Sequence, residues 1–305
     1  MANTAVPTAI SAGGNARAVV GVAPKSRRLF SWNNVRRHPR FLIGGTFIAF
    51  LILVAVAAPF IVRTDPKVSH PADAIAKPSA QHLMGTDDLG RDVLGRVIFG
   101  ARVSLAVGIF AVSIGLTIGM TLGMIAGYRG GWSDLLILRV IDALLAFPGL
   151  LLAIAITSAL GPNLRNTMIA IGVVAIPVYT RLTRGQVLQA KEREYVEAAR
   201  TAGASQTRIA FKHILPNILN PLIVQASLSV AFAILAEASL SFLGLGAQPP
   251  TPTWGSDINH ARAYLSNGFW WMSVGPGVAI LLTVFSFNLL CDSIRDILDP
   301  RLRDK

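Results

Sequence analysis

Six long apolar segments recur along this chain of 305 residues and limit what it can fold into. A helix needs roughly 20 mostly apolar residues to cross the hydrocarbon core of a bilayer. Inside lipid, a helix also satisfies its own backbone hydrogen bonds, for which no water is available. We therefore predict an all-α membrane protein with six transmembrane helices. The predicted spans are residues 41–62, 103–127, 137–160, 167–185, 217–240 and 272–291.

The composition agrees with a membrane location. Hydrophobic residues make up 52% of the chain and charged residues 14%, whereas soluble domains usually carry about 25% charged residues. The mean hydropathy is +0.54. The single cysteine, Cys291, excludes an intramolecular disulfide and a Cys-rich metal site. Because Cys291 lies in an apolar segment, we expect it to be a packing residue.

The basic residues indicate the orientation, because cytoplasmic loops of membrane proteins carry an excess of Lys and Arg. With six spans both termini lie on one side, and that side carries 20 of the 28 Lys and Arg residues. Residues 1–40 alone contain seven bases and no acid. We predict that both termini are cytoplasmic, that 41–62 is an uncleaved anchor, and that 1–40 and 292–305 are cytoplasmic tails.

The first external loop, residues 63–102, ends in a segment with helical spacing of its apolar residues. The apolar stripe consists of Leu89, Val93, Leu94, Val97 and Ile98. Thr86 or Asp87 could cap the helix start, and Asp92 and Arg96 stand at i and i+4. The segment predicts either an amphipathic helix at the membrane interface or a plain surface helix.

Small residues and prolines distinguish the middle spans. The second span is rich in Gly, Ser and Thr, which let helix backbones approach closely, so we expect it to lie inside a helix bundle. Pro148 and Pro177 are predicted to interrupt the third and fourth spans.

Two acids fall inside predicted spans, where ionisable side chains are costly and often functional. Asp142 follows Arg139 by three residues, which favours a local ion pair that holds the bundle together, although a place on the substrate path stays open. Glu237 lies about 30 Å along the fifth span, near its outer end. It could meet the amino group of an arriving peptide, or it could cap or pair with another helix.

The last external loop contains the sequence QPPTPTWG, residues 248–255. Its prolines stiffen the backbone, and Trp254 is expected at the membrane interface. A rigid surface loop is the simpler interpretation, and a docking surface for an external binding protein is the functional alternative.

A polar segment lies between the fourth and fifth spans on the predicted cytoplasmic side. Residues 194–202 predict a short helix, and Gly203 suits a left-handed stop. Ser205 can cap a second helix that should end before Pro216. The pattern could pass for a DNA-binding helix-turn-helix, but the adjacent spans would force a duplex against the bilayer. Protein docking fits this position better.

This segment resembles the cytoplasmic signature of ABC-importer permeases, in which Glu-Ala-Ala, a Gly and Ile-x-Leu-Pro follow at fixed spacing. The matching residues are Glu197, Ala198, Ala199, Gly203, Leu215 and Pro216, and His213 stands at the Ile position. Three further stretches, residues 82–105, 246–255 and 287–302, resemble the second permease subunit of dipeptide and oligopeptide importers. The resemblance covers nearly all of the chain after about residue 35 and marks the preceding residues as a variable tail.

The resemblance implies a type I ABC-importer permease, with residues 103–291 as its core of five spans. It implies that the loop 190–216 docks into a groove of an ATP-hydrolysing subunit. The implied partners are a second permease, two ATPase subunits and an extracytoplasmic solute-binding protein. The substrate would be a dipeptide or short oligopeptide, with nickel or another small solute as the alternative.

The sequence lacks signs of enzymatic chemistry. No Gly-rich phosphate loop with a following Lys appears, so ATP and Mg would be used by partner subunits and this chain would carry no cofactor. Its five His residues show no metal-ligand spacing. An ion-coupled secondary transporter would need paired charges or broken helices near mid-membrane, and only Asp142 and Glu237 are available. A nucleic-acid partner is not expected.

Overall fold

The computed structural model describes residues 39–62 and 64–298, and helices account for nearly all of its regular structure. The predicted tails fall largely outside these residues. The α-helices in chain order are α1 (Pro39–Ile61), α2 (Val93–Arg129), α3 (Gly131–Leu145), α4 (Gly149–Leu160), α5 (Leu164–Lys191), α6 (Glu194–Thr201), α7 (Gln206–Arg208), α8 (Leu215–Phe242), α9 (Trp254–Arg262) and α10 (Trp271–Leu298). A π-helical stretch, Ile209–Ile214, joins α7 to α8, and two short 3₁₀ turns cover Pro71–Asp73 and Leu265–Asn267.

The predicted apolar spans all appear as helices. Within the described residues, five helices are long and apolar enough to cross a membrane: α1, α2, α5, the continuous α7–α8 and α10. The third predicted span consists of α3 and α4, which meet at a bend of 91°. The all-α prediction with up to six spans is therefore confirmed.

The two prolines behave differently from each other. Pro148 caps the start of α4 at the bend, so the predicted interruption of the third span is confirmed. The prediction for Pro177 was wrong, because α5 continues through it from Leu164 to Lys191. Pro177 is buried, and the residues beside it pack against α2, which holds the helix together across the missing hydrogen bond.

Glycines of α2 carry its packing against α5, the most extensive helix pair of the described residues. Gly115, Gly119, Gly123 and Gly127 stand four residues apart and therefore share one face of α2. A Cβ atom on Gly119 would lie 2.6 Å from the Cβ of Tyr179. The two backbones are thus too close for any larger residue, and the prediction of an interior helix is confirmed.

The N-terminal end of α2 differs from the sequence-based expectation. No separate interfacial helix forms over residues 85–102, because α2 begins at Val93 and runs unbroken to Arg129. Asp92, and neither Thr86 nor Asp87, is the N-cap, and its Oδ1 accepts a hydrogen bond from the Gly95 backbone N–H at 2.7 Å.

Candidate functional site

The loop 190–216, which we call the coupling segment, contains the short helices α6 and α7, which meet at a turn around Gly203. Gly203 has a φ of +76°, in the left-handed region that glycine adopts without strain. The N–H groups of Gly203 and Ala204 donate to the last carbonyls of α6, those of Arg200 and Ala199, at 3.0 Å each. Ser205 caps α7 by accepting a hydrogen bond from the Arg208 N–H at 3.3 Å. The turn predicted from the sequence is confirmed in each of these features.

The second helix of the coupling segment does not end before Pro216, contrary to the prediction. It runs through the π-helical stretch into α8 and so becomes the start of the fifth span. A proline lacks the N–H for the usual helical bond and clashes with the carbonyl four residues earlier. The π-helical stretch changes the backbone pairing directly before Pro216, where such a clash would arise. The second half of the coupling segment, from Gln206 onwards, is consequently continuous with a transmembrane helix.

Burial divides the coupling segment into an anchored side and an exposed side. Val196, Ile209 and Ile214 are fully buried and belong to the main hydrophobic core. Of the residues that match the permease signature, four are exposed and three are half-buried. The exposed ones are Glu197, Ala198, Gly203 and Pro216, and the half-buried ones are Ala199, His213 and Leu215. An exposed surface on a rigid base is what a docking element requires.

The C-terminal end of α2 supports this base through contacts that the sequence did not reveal. The Tyr128 hydroxyl donates a hydrogen bond to Oε1 of Gln206 at 2.5 Å. Lys191 donates from Nζ to the carbonyl oxygen of Tyr128 at 3.2 Å and lies over the Tyr128 ring. These contacts join the ends of α2 and α5 to the start of α7. No spacing in the sequence links residues this far apart.

Asp142 does form an ion pair, but with a different partner from the predicted Arg139. Its Oδ1 accepts a hydrogen bond from Arg181 of α5 at 2.6 Å. The two side chains remain 52% and 55% exposed. A second pair, Asp134 with Arg184, links the same two helices through two hydrogen bonds of 2.6 Å. The local i,i+3 pair gives way to contacts between helices because the Arg residues of α5 reach across to α3.

Glu237 lies near the C-terminal end of α8, and its side chain is fully buried. Its Oε1 accepts a hydrogen bond from the Ser241 hydroxyl at 2.6 Å, one helical turn away. Within the described residues Oε2 has no hydrogen-bond partner. In this conformation Glu237 does not border the cavity between α2, α4, α5 and α8 that is described below. Its contact with a peptide amino group therefore stays a prediction.

A buried charge network joins the two loops that are predicted to be the first and last external ones. Arg96 donates from Nε to Oδ1 of Asp257 in α9 at 3.1 Å and from a terminal nitrogen to the carbonyl oxygen of Pro66 at 2.9 Å. Arg91 donates to Oδ2 of Asp87 at 2.6 Å. Burial raises the pKa of the Asp257 carboxyl, and the Arg96 guanidinium opposes part of that increase. We call this cluster of Asp87, Arg91, Arg96 and Asp257 the external network, after the predicted orientation of its loops.

Two predictions about these loops were wrong. Arg96 does not pair with Asp92, because Asp92 caps α2 and faces Nδ1 of His82 at 3.1 Å. Trp254 does not lie at the membrane interface; it is fully buried, and its indole N–H donates to the Val97 carbonyl at 2.9 Å. The charged residues were visible in the sequence, but the pairing was not, because Arg96 and Asp257 stand 161 positions apart in the chain.

Similarity to known proteins agrees with this architecture. Residues 119–304 match the family described as the inner membrane component of binding-protein-dependent transport systems. Residues 29–79 match the N-terminal transmembrane domain of oligopeptide transport permease C. A chain of the solved MetNI methionine ABC transporter, in inward-facing conformations, superimposes with a TM-score of 0.54 at 18% identity. That match covers 67% of this chain and 97% of the solved one, and it supports the fold.

Curated relatives extend the similarity to nearly the whole chain. The dipeptide transport system permease protein DppC of Alkalihalophilus pseudofirmus is 44% identical over 273 residues, which is 90% of each chain. The glutathione transport system permease protein GsiD of Salmonella typhimurium is 46% identical over 273 residues, or 89% of this chain and 90% of its own. Matches of this extent assign the family, and the chain belongs to the multi-pass inner membrane components of binding-protein-dependent transport systems.

Proposed function

We propose that this chain is one of two permease subunits of an ABC importer that carries dipeptides or short oligopeptides into the cytoplasm. The observation that carries the proposal is the exposed coupling segment, because its second half, α7 and the π-helical stretch, is continuous with the transmembrane helix α8. Helix α6 packs against the π-helical stretch through the buried Val196, so a force applied at Glu197 or Gly203 would pass through this contact to α8. A relative that shares 44% identity and is named for dipeptide transport supports the substrate class.

The remaining partners follow from the same proposal. Two ATPase subunits would bind ATP and Mg and engage the coupling segment, since this chain has no phosphate loop. A second permease would complete the path through the membrane, and a solute-binding protein would deliver the peptide outside. The charge distribution supports cytoplasmic termini and a cytoplasmic coupling segment.

Labelling of single cysteines tests this orientation. Ser205 in the coupling segment and Ser266 in the last external loop are both exposed. With Cys291 replaced, cysteines at these two positions should react with a membrane-impermeant reagent from opposite sides. Reaction of both from the same side would contradict the topology.

Glutathione, a tripeptide, is the second candidate substrate. Relatives named for glutathione transport are 46% identical to this chain over the same length as the dipeptide relative. Both candidates share a peptide backbone, so they call for the same machinery with a different binding protein.

Reconstitution of the complete importer tests the function. The chain would be purified with its second permease and ATPase subunits, placed in proteoliposomes and supplied with its binding protein. We expect ATP-dependent uptake of a labelled dipeptide or of glutathione. The matched control replaces the phosphate-loop Lys of the ATPase subunits, and uptake should then stop. Uptake that needs neither ATP nor the binding protein would contradict the proposal.

A further inference from the structure

A cavity of about 340 Å³ opens in the middle of the helix bundle. Its size falls within the range of small-molecule sites, about 300–1,000 Å³. Helices α2, α4, α5 and α8 all contribute to its wall. The lining residues used below are Gly149, Val174, Val178, Gln225, Ser229 and Phe232. Val178 and Phe232 are 44% and 63% exposed in the single chain, so the cavity is open on one side.

Two polar side chains face this otherwise apolar cavity, and both come from α8. Gln225 lies about ten residues beyond the start of α8, so it is about 15 Å from the cytoplasmic end of that helix. Ser229 follows one turn later, and Nε2 of Gln225 donates to its hydroxyl at 3.3 Å. A carboxamide has two donor hydrogens and two acceptor lone pairs. Within the described residues the Gln225 side chain makes this one hydrogen bond, which leaves both a donor and its oxygen available.

The α5 wall of the cavity leads toward charged groups at the cytoplasmic side. Val174, Val178 and Arg181 follow at i, i+4 and i+7 and therefore share one face of α5. Arg181 pairs with Asp142, and both side chains are more than half exposed. Charged side chains are costly in contact with lipid tails and mark water-filled paths. The open side of the cavity therefore shares its helix face with a charged pair that lipid tails would not accommodate.

We propose that this cavity holds the peptide in transit and that Gln225 hydrogen-bonds to its peptide unit, with Ser229 positioning the carboxamide. The inference rests on the proposed function and names residues for it. A carboxamide matches a peptide unit, because its oxygen accepts from the peptide N–H and its NH₂ donates to the peptide carbonyl. Contacts to the peptide backbone do not depend on side chains, and the apolar wall around them accepts side chains of varied shape.

The lining of the cavity favours a peptide in transit over two other possible occupants, a lipid tail and a helix of the second permease. A lipid tail would leave the free donor and acceptor of Gln225 without partners in an apolar surrounding, which is costly. A helix of the second permease would present its backbone already hydrogen-bonded to itself. A short peptide brings unpaired backbone groups that match those of Gln225.

The test compares two dipeptides in the reconstituted importer. One is an ordinary labelled dipeptide, and the other carries a methyl group on its peptide nitrogen and so cannot donate. Gln225→Leu removes the carboxamide at similar size. We expect it to lower uptake of the ordinary dipeptide about 3- to 10-fold, the loss of one or two hydrogen bonds, and to affect the N-methyl dipeptide less. Dividing each uptake by the wild-type value removes the preference of the binding protein, which is the same in all assays.

Ser227→Ala is the matched control, because Ser227 lies on α8 and its hydroxyl already donates to the Ile223 carbonyl at 3.1 Å. It should leave uptake of both peptides unchanged, while Ser229→Ala should give a smaller loss than Gln225→Leu. Unchanged uptake in Gln225→Leu, or equal losses for both peptides, would overturn the inference and leave the proposed function intact. Loss of the second permease from purified Gln225→Leu would assign the cavity to a partner helix and also overturn it. If the wild-type importer takes up no peptide, the proposed function fails and this inference with it.

Discussion

The external network and the coupling segment differ in whether their residues are buried or exposed. In the external network Arg96 and Asp257 are buried and bonded to each other, so they join two loops of the same chain. In the coupling segment the side chains of Glu197 and Ala198 are exposed on α6, and backbone hydrogen bonds at the turn around Gly203 fix the end of that helix. The two loops of the external network are therefore held together within the chain, whereas the coupling segment leaves its surface exposed, as the proposed docking on an ATPase subunit requires. Substitutions in the external network should consequently lower the stability of the chain, whereas substitutions in the coupling segment should weaken its coupling to the ATPase subunits.

The largest effect on stability is expected from breaking the Arg96–Asp257 pair. Removal of one partner from a buried ion pair leaves an uncompensated charge and costs about 3–5 kcal/mol. Arg96→Met should therefore lower the thermal unfolding temperature of the purified importer and its amount in the membrane. The double variant Arg96→Met with Asp257→Leu should recover much of the loss, since an apolar pair can replace a buried ionic one.

A thermal unfolding series of the wild type, both single variants and the double variant measures this recovery. A double variant no more stable than Arg96→Met would show that the pair does not act as a unit. In that case the two loops would be held together mainly by other contacts, such as the buried Trp254.

The second prediction concerns substitution of Gly203, which should change the stability of the chain little but strongly weaken its coupling to the ATPase subunits. A residue with a Cβ costs roughly 1 kcal/mol in the left-handed conformation, and a Cβ there would meet no atom of this chain within 4 Å. Gly203→Asp should therefore reach the membrane at near-normal level. It should lose the ATPase subunits on purification, and peptide uptake should fall with them.

Gly203→Asn is the control, because Asn also tolerates the left-handed conformation and has almost the same shape without the charge. Loss of ATPase binding in both variants would assign the effect to shape, and loss in Asp alone would assign it to charge. Normal ATPase binding together with normal uptake in Gly203→Asp would show that the segment does not couple the two subunits.

The smallest effect is expected from the Arg181–Asp142 pair, which sharpens the contrast with Arg96–Asp257. An exposed ion pair contributes about 0–1 kcal/mol because water screens its charges. Arg181→Met and Asp142→Leu, alone and together, should shift the thermal unfolding temperature far less than the corresponding changes in the external network. A loss as large as that of Arg96→Met would mean that α3 and the bend at Pro148 depend on this pair, and the distinction between buried and exposed pairs would fail.

The turn at Gly203 was predictable because its causes are local. A left-handed glycine, a serine cap and a short amphipathic helix act over a few residues, so sequence neighbours suffice to indicate them. The continuation past Pro216 was not predictable in the same way. It depends on a π-helical stretch and on the burial of Ile209 and Ile214 in the core, which are tertiary conditions.

The sequence by itself determined the all-α membrane fold, the approximate spans, the small-residue face of α2 and the exposed signature from Glu197 to Gly203. These follow from hydrophobic length, from residue size and from short-range backbone preferences. Only the tertiary structure decided which charges meet. Arg96 found Asp257, Asp142 found Arg181, and Trp254 was buried against α2, because pairing between distant segments depends on how the helices pack and not on spacing along the chain.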